Sequence, residues 1–153
     1  MDGGVGIKMK RLKPGIYSLR EMRTNLWDGK DFYTVNIAES FFYKSLVEND
    51  RTIYDDYREL VNTTHPRRIK NKKTRVASYE NFYGIYGDIR DNGYERGSYI
   101  RFGPGRKDQG DIISDGQHRA SILLYLDFDI KIRTRGRRAV PVIDKSSTIK
   151  LKG

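Results

Sequence analysis

Two kinds of hydrophobic pattern alternate along the chain. Residues 32–37 (FYTVNI) alternate in polarity and are rich in β-branched and aromatic side chains, which predicts a β-strand. Apolar residues at helical spacing predict helices instead, and the clearest covers residues 117–126. Further strands are predicted at 98–102, 111–114, 130–133 and 139–143, and further helices at 41–47, 54–61 and 79–92. Because strands and helices alternate without internal repeats, we predict a mixed α/β (α+β) fold in one compact unit.

Three segments lack such a pattern. Residues 1–14 are predicted to be a loose lead-in, and residues 15–27 show weak periodicity that favours at most a short amphipathic stretch. Residues 62–74 are basic, interrupted by Pro66 and without an apolar face, so we predict a loop that stays poorly ordered until a ligand binds. We therefore divide the chain into an N-terminal extension (1–29), one domain (30–145) and a C-terminal tail (146–153).

Composition excludes several kinds of chemistry. The chain has 153 residues, two histidines and no cysteine, so disulfide scaffolds, cysteine nucleophiles and thiolate zinc sites are excluded. The longest apolar run, residues 122–126, is too short to span a bilayer, and the N-terminus has no hydrophobic signal region. We therefore expect a cytoplasmic protein with no membrane span.

The charge is unevenly distributed. Lys and Arg number 30 against 20 Asp and Glu, which gives a net charge of +10. Six cations lie within residues 67–75 and four arginines within residues 133–138. Clusters of this kind favour a polyanionic partner, whereas scattered cations would only promote solubility. Both interpretations remain open at this point.

The segment with the most specific chemistry is a strand, a glycine turn and a helix at residues 112–126. The first N–H groups of a helix have no intrahelical partner and attract phosphate, and Gly116 allows a ligand to approach the backbone. Arg119 adds a fork for phosphate oxygens, and His118 adds a donor near neutral pH. The alternative is that Asp115 caps the helix while His118 and Arg119 are surface side chains.

The sequence DGQHRASILLYL at residues 115–126 resembles the signature of the ParB/sulfiredoxin superfamily. The resemblance covers residues 76–143 well and residues 30–75 loosely, and it implies a small mixed sheet flanked by helices. It also implies that the turn opens the helix at a nucleotide-phosphate site. The nucleotide-binding residues implied in this way are Gly116, Gln117, His118, Arg119 and Ser121, with Arg67 and Arg68 contributed by the loop that closes over the phosphates.

Differences between this sequence and the superfamily exclude some of the superfamily's activities for this chain. Sulfiredoxins have a cysteine where this chain has Gln117, so sulfinic-acid reduction is excluded. Ten residues follow Ile143, so we expect no helix-turn-helix domain of the kind that partition proteins carry. Residues 37–43 (IAESFFY) and the Tyr54–Tyr57 pair resemble a third branch of small stand-alone members. The kinase branch of the superfamily implies a catalytic glutamate at Glu39, and the alternative is that Glu39 satisfies backbone donors at a helix start.

Two functions from different classes follow. The first is a nucleotide-dependent phosphotransferase (a small-molecule or sugar kinase) or a nucleotide hydrolase, using ATP, ADP or CTP, Mg²⁺ and a small hydroxyl-bearing acceptor. Its catalytic residues would be Glu39, Asp115 and His118, and Asp115 would also hold the metal with the phosphates. The alternative is a basic ParB-like DNA-binding module with or without nuclease activity. Tyr54 and Tyr57 are expected to pack, and His65 is expected to be solvated.

Overall fold

The computed structural model describes residues 12–105 and 110–153. In this part of the chain, seven strands form one curled sheet and five α-helices accompany it. The strands are β1 (Gly15–Ser18), β2 (Arg23–Trp27), β3 (Phe32–Asn36), β4 (Ile100–Pro104), β5 (Asp111–Asp115), β6 (Lys131–Arg135) and β7 (Arg138–Val142). The helices are α1 (Phe41–Val47), α2 (Arg51–Thr64), α3 (Pro66–Lys70), α4 (Tyr79–Asn92) and α5 (Gln117–Leu126). The mixed α/β prediction is confirmed.

The sheet has the strand order β1-β6-β7-β4-β5-β2-β3. Neighbouring strands are antiparallel except for the pair β2 and β5, which makes the sheet mixed. Strand β5 lies between β4 and β2, and its Ile112 and Ile113 are buried. Because Gly116 alone separates the end of β5 from the start of α5, the sheet fixes the position of the α5 N-terminus.

Residues 15–27 belong to this sheet rather than to a separate extension. Strand β1 pairs with β6, and Thr24 of β2 pairs with Ile113 of β5. The sheet therefore continues across the boundary that we predicted after residue 29. Strand pairing orders these residues, although the periodicity of their sequence is weak. The tail is also docked, since Ile149 is buried and the Lys152 ammonium lies 2.8 Å from an Asp88 carboxylate oxygen. The predicted lead-in falls largely on residues 1–11, outside the described residues.

The structure confirms the predicted helices and shows the local contacts at their ends. Helices α1 and α5 have the predicted bounds. Ser78 caps α4 by accepting the Asn81 N–H at 3.2 Å, and Gly93 ends that helix with φ of 98°. Among the described residues, no helix is both long and apolar enough to cross a membrane.

The prediction of a loop at residues 62–74 is wrong. Helix α2 continues to Thr64, α3 follows with Pro66 in its first turn, and residues 72–74 form a 3-10 turn. Polar contacts, together with the packing of the His65 ring on Trp27, hold this segment in place of an apolar face. The Asn62 amide donates to the Val76 carbonyl at 3.2 Å and accepts the Val76 N–H at 2.9 Å. The Arg68 guanidinium also donates to the Thr74 carbonyl.

Candidate functional site

The turn before α5 has a backbone that glycine alone suits. Gly116 adopts φ of 88° and ψ of 22°, in the left-handed region. A Cβ at this position would lie 3.3 Å from the Ile100 Cα, which is backbone that cannot move aside easily. No side chain caps α5, so the predicted capping role of Asp115 is wrong, and the first N–H groups of the helix stay open to a ligand.

Gln117 anchors the start of α5 to the sheet. Its side-chain amide donates to the Thr24 hydroxyl at 2.5 Å and to the Asn25 carbonyl at 3.3 Å. The Thr24 hydroxyl in turn donates to the Ile113 carbonyl at 3.0 Å. These bonds tie the helix start to β2 and β5, so Gln117 positions the turn while its own backbone N–H remains at the helix start.

His118 is half-buried and packs within an aromatic cluster. Its ring centroid is 4.4 Å from that of Phe42 and 5.0 Å from that of Phe82. Burial, reinforced by the positive charges of Arg119 and Arg68, lowers the pKa of His118 to about 4. The imidazole is therefore neutral at pH 7, and the surface-histidine alternative is wrong.

The hydrogen-bond pattern assigns the His118 tautomer. The Tyr54 hydroxyl donates its one proton to the Ala77 carbonyl at 2.7 Å. The contact between this hydroxyl and His118 Nε2, at 3.2 Å, must then be donated by the imidazole. His118 consequently donates its Nε2–H to Tyr54 inside the protein, so this N–H does not bind an anion.

A cavity of about 340 Å³ opens at this helix start, and we name it the Arg68–Arg119 pocket. Three arginines line it, the half-buried Arg68 and the exposed Arg75 and Arg119, together with one exposed carboxylate, Asp115. Burial lowers the pKa of Arg68, as expected for a cation held away from water without a carboxylate. The apolar part of its wall comes from Phe42, Val76, Ala77 and Ile85.

A second cavity, of about 380 Å³, adjoins the first and shares Arg119 and Ile85 with it. Its wall carries two carboxylates, Asp88 and Glu95. Hydrogen bonds from Lys152 and Asn92 lower the pKa of Asp88, so this carboxylate is ionised at neutral pH. The cations Arg119 and Lys152 also line this cavity, and we name it the Asp88 pocket.

Three residues predicted from the sequence do not line the Arg68–Arg119 pocket. Glu39 is exposed and accepts the Asn36 N–H at 3.2 Å, which completes a capping box at the 3-10 turn Ile37–Glu39. Ser121 is fully buried, and its hydroxyl lies 3.2 Å from that of Ser40. Arg67 is exposed and its neighbour Arg68 enters the pocket instead.

Arg75 is the pocket residue that motif reasoning missed. It lies 44 positions before Arg119, and its Nε donates to the Arg68 carbonyl at 3.2 Å, which holds the two arginines together. In the sequence, the basic cluster at residues 67–75 indicates an anion site. The helical folding of this cluster then determines that Arg68 and Arg75 are the two cations that face the pocket.

The remaining aromatic predictions have mixed outcomes. Tyr54 and Tyr57 are buried, which confirms packing, and the Tyr57 hydroxyl accepts the Trp27 N–H at 3.0 Å. The prediction that His65 is solvated is wrong, because its ring packs against Trp27 with centroids 4.5 Å apart. Burial accordingly lowers the pKa of His65.

The described residues contain no group of three or more His, Asp or Glu side chains placed to hold a metal ion. Mg²⁺ needs no such cage, because nucleotide phosphates and one or two carboxylates usually hold it. Asp115 is an exposed carboxylate at the edge of the Arg68–Arg119 pocket and fits that requirement.

Comparison with known proteins finds no matching protein-family model, no similar curated protein and no similar solved structure. Kinship with the ParB/sulfiredoxin superfamily therefore stays a prediction from the sequence.

Proposed function

We propose that the chain binds the phosphates of a nucleotide in the Arg68–Arg119 pocket and transfers the terminal phosphoryl group to a small hydroxyl-bearing acceptor. The observation that carries this proposal is that three arginines and the uncapped N-terminus of α5 line one cavity. Guanidinium forks and open helix N–H groups are both phosphate ligands. The resemblance of residues 115–126 to a superfamily with a phosphate site at this turn supports the same assignment.

Phosphoryl transfer demands positioning and charge compensation more than covalent chemistry from the protein. In the proposed reaction, an acceptor oxygen bonds to the terminal phosphorus while the bond to the bridging oxygen breaks. The nucleoside diphosphate leaves, and the acceptor proton passes to a carboxylate. With water as the acceptor the same steps amount to hydrolysis. Mg²⁺, when bound, compensates phosphate charge, and Asp115 is the residue that would hold it.

We place the acceptor in the Asp88 pocket. That cavity meets the Arg68–Arg119 pocket at Arg119, so a phosphoryl group held by Arg119 faces both. Asp88 is ionised and can accept the hydroxyl proton. We therefore assign to Asp88 the proton-accepting role that the sequence suggested for Glu39, because Glu39 lines neither cavity.

The test combines binding of a fluorescent ATP analogue with ADP release in the presence of candidate polyols and sugars. Arg119→Ala should weaken binding by about 10- to 150-fold, the equivalent of losing one charge-assisted hydrogen-bonded group. Asp88→Asn should retain binding and lose turnover. The matched control is Arg96→Ala, which removes an exposed arginine outside both cavities. Equal weakening by Arg96→Ala and Arg119→Ala would contradict the proposed site.

A further inference from the structure

A second basic surface lies on the sheet and extends from β6 to β4, whose Arg101 is opposite Asp115 of β5. Strand β6 alternates between exposed and buried residues, so Lys131, Arg133 and Arg135 share its exposed face. Arg138 of β7 pairs with Arg135 on one side and with Arg101 of β4 on the other. These five exposed cations form what we name the arginine face: Arg101, Lys131, Arg133, Arg135 and Arg138.

Among the described residues, the arginine face has one carboxylate opposite it in the strand register, that of Asp115 of β5, which is opposite Arg101. None of the five cations forms a salt bridge with a carboxylate there, whereas the nearby Arg137 lies 3.0 Å from Asp111. Like charges directly opposite each other on neighbouring strands destabilise a sheet. Arg101, Arg138 and Arg135 nevertheless lie side by side across three strands. An arrangement that costs stability in the free protein suits a surface whose charge an anionic ligand neutralises.

The geometry of the face selects an extended polyanion. Neighbouring strands are about 4.8 Å apart and alternate residues along a strand about 6.7 Å apart, so the cations form a row that is several phosphates long. A cavity of about 660 Å³ lies on this surface. Four of the five cations are arginines, whose planar forks match phosphate better than lysine ammonium groups do.

The face also offers an aromatic ring. The exposed Tyr99 lines the same cavity, and the Arg138 guanidinium lies 5.0 Å from its ring centroid. Aromatic rings and guanidinium planes on a positively charged surface are the means by which proteins stack the bases of single strands. A duplex fits less well, because β6 and β7 are flanked by β1 and β4. Four strands span about 14 Å between their outer axes, more than the major groove of about 12 Å admits.

We infer that the arginine face binds single-stranded nucleic acid, independently of the Arg68–Arg119 pocket. Phosphates contact the arginines of β4, β6 and β7, and one base stacks on Tyr99. Since the face and the pocket share no arginine, each can lose its ligand while the other keeps it.

The experiment measures fluorescence anisotropy of a labelled 12-nucleotide DNA or RNA strand at several salt concentrations. Five phosphate contacts predict a slope of log K against log salt of about −3.5, hence about 100-fold weaker binding at 200 mM than at 50 mM salt. Arg133→Ala with Arg135→Ala should reduce that ratio to about 20-fold. Tyr99→Leu should weaken binding about tenfold without changing the slope.

The matched control is Arg67→Ala with Arg96→Ala, which removes the same charge from exposed arginines elsewhere. Should the alanine pair fail to fold, as judged by circular dichroism, Arg133→Lys with Arg135→Lys keeps the charge and should weaken binding less than threefold at 50 mM salt. Equal loss in the control pair, tighter binding of duplex than of single strand, or no binding would overturn the inference. Arg119→Ala should leave strand binding unchanged, and its loss there would assign the strand to the pocket instead.

Discussion

His118 makes the stability of the protein depend on pH in a way that can be calculated. Its pKa is about 4 in the folded chain, against 6.5 for an ordinary imidazole, because burial and the charges of Arg119 and Arg68 oppose protonation. At pH values between these two pKa values, the His118 side chain is protonated in the unfolded chain and neutral in the folded chain. Stability is therefore lost as the pH falls from about 6.5 to about 4.

The size of the loss follows from the pKa difference. A difference of about 2.5 corresponds to about 3 kcal/mol once the pH has reached the folded value, and to about 2.5 kcal/mol between pH 7 and pH 4.5. Carboxylates with lowered pKa, such as Asp50 and Asp88, add acid sensitivity of the same sign. His65 also contributes in this direction.

The variant His118→Gln isolates the His118 contribution. Glutamine cannot titrate, and its amide can still donate to the Tyr54 hydroxyl. Urea unfolding at pH 7.0, 6.0, 5.0 and 4.5 can be followed by the fluorescence of Trp27, the one tryptophan of the chain. The carboxylates and His65 titrate in both proteins, so the difference between the two pH profiles belongs to His118.

We expect the wild-type chain to lose about 2.5 kcal/mol more than His118→Gln between pH 7 and pH 4.5. Parallel profiles would refute the burial of a neutral imidazole against Phe42 and Phe82. A smaller loss in the wild-type chain than in the variant would mean that the folded state stabilises the imidazolium instead.

Three further predictions concern the elements around the site. Gly116→Ala should cost about 1–2 kcal/mol of unfolding free energy, more than Gly136→Ala, which has positive φ but no neighbour within 4 Å; equal costs in thermal unfolding would deny the close approach to the backbone. Asn62→Ala breaks both bonds to Val76, so tryptic cleavage in the basic segment should accelerate about tenfold. An unchanged cleavage rate would show that these two bonds do not hold the segment. Glu39→Gln should leave ADP release within about twofold of wild type, because the side chain caps a turn; loss of turnover with intact nucleotide binding would restore its catalytic role.

Local signals explain which elements the sequence could predict. Helix α5 has a glycine turn before it and a continuous apolar segment inside it, and α4 has Ser78 and Gly93 at its ends, so the bounds of both are set within the sequence itself. Strands β1 and β2 are different. Their periodicity is weak, and pairing with β6 and β5, about 90 or more residues away, makes them strands.

The same distinction applies to the site. The turn at residues 115–119 could be predicted because one contiguous motif contains its chemistry. Arg75 could not be selected from its cluster, since side-chain bonds from Asn62, Arg68 and Arg75 to backbone groups 6 to 14 positions away determine how the basic segment folds. The resemblance implies roles for Glu39 and Ser121 at the site, but the structure gives their side chains partners outside the pocket.

The central claim, that nucleotide phosphates bind at the start of α5, is tested most directly by amide chemical shifts. A ¹⁵N-labelled sample is titrated with ATP and Mg²⁺, and in parallel with adenosine. The N–H signals of Gly116, Gln117, His118 and Arg119 should shift with ATP and stay in place with adenosine, because the open helix start binds the phosphates. Shifts confined to β4, β6 and β7, or equal shifts with adenosine, would contradict it.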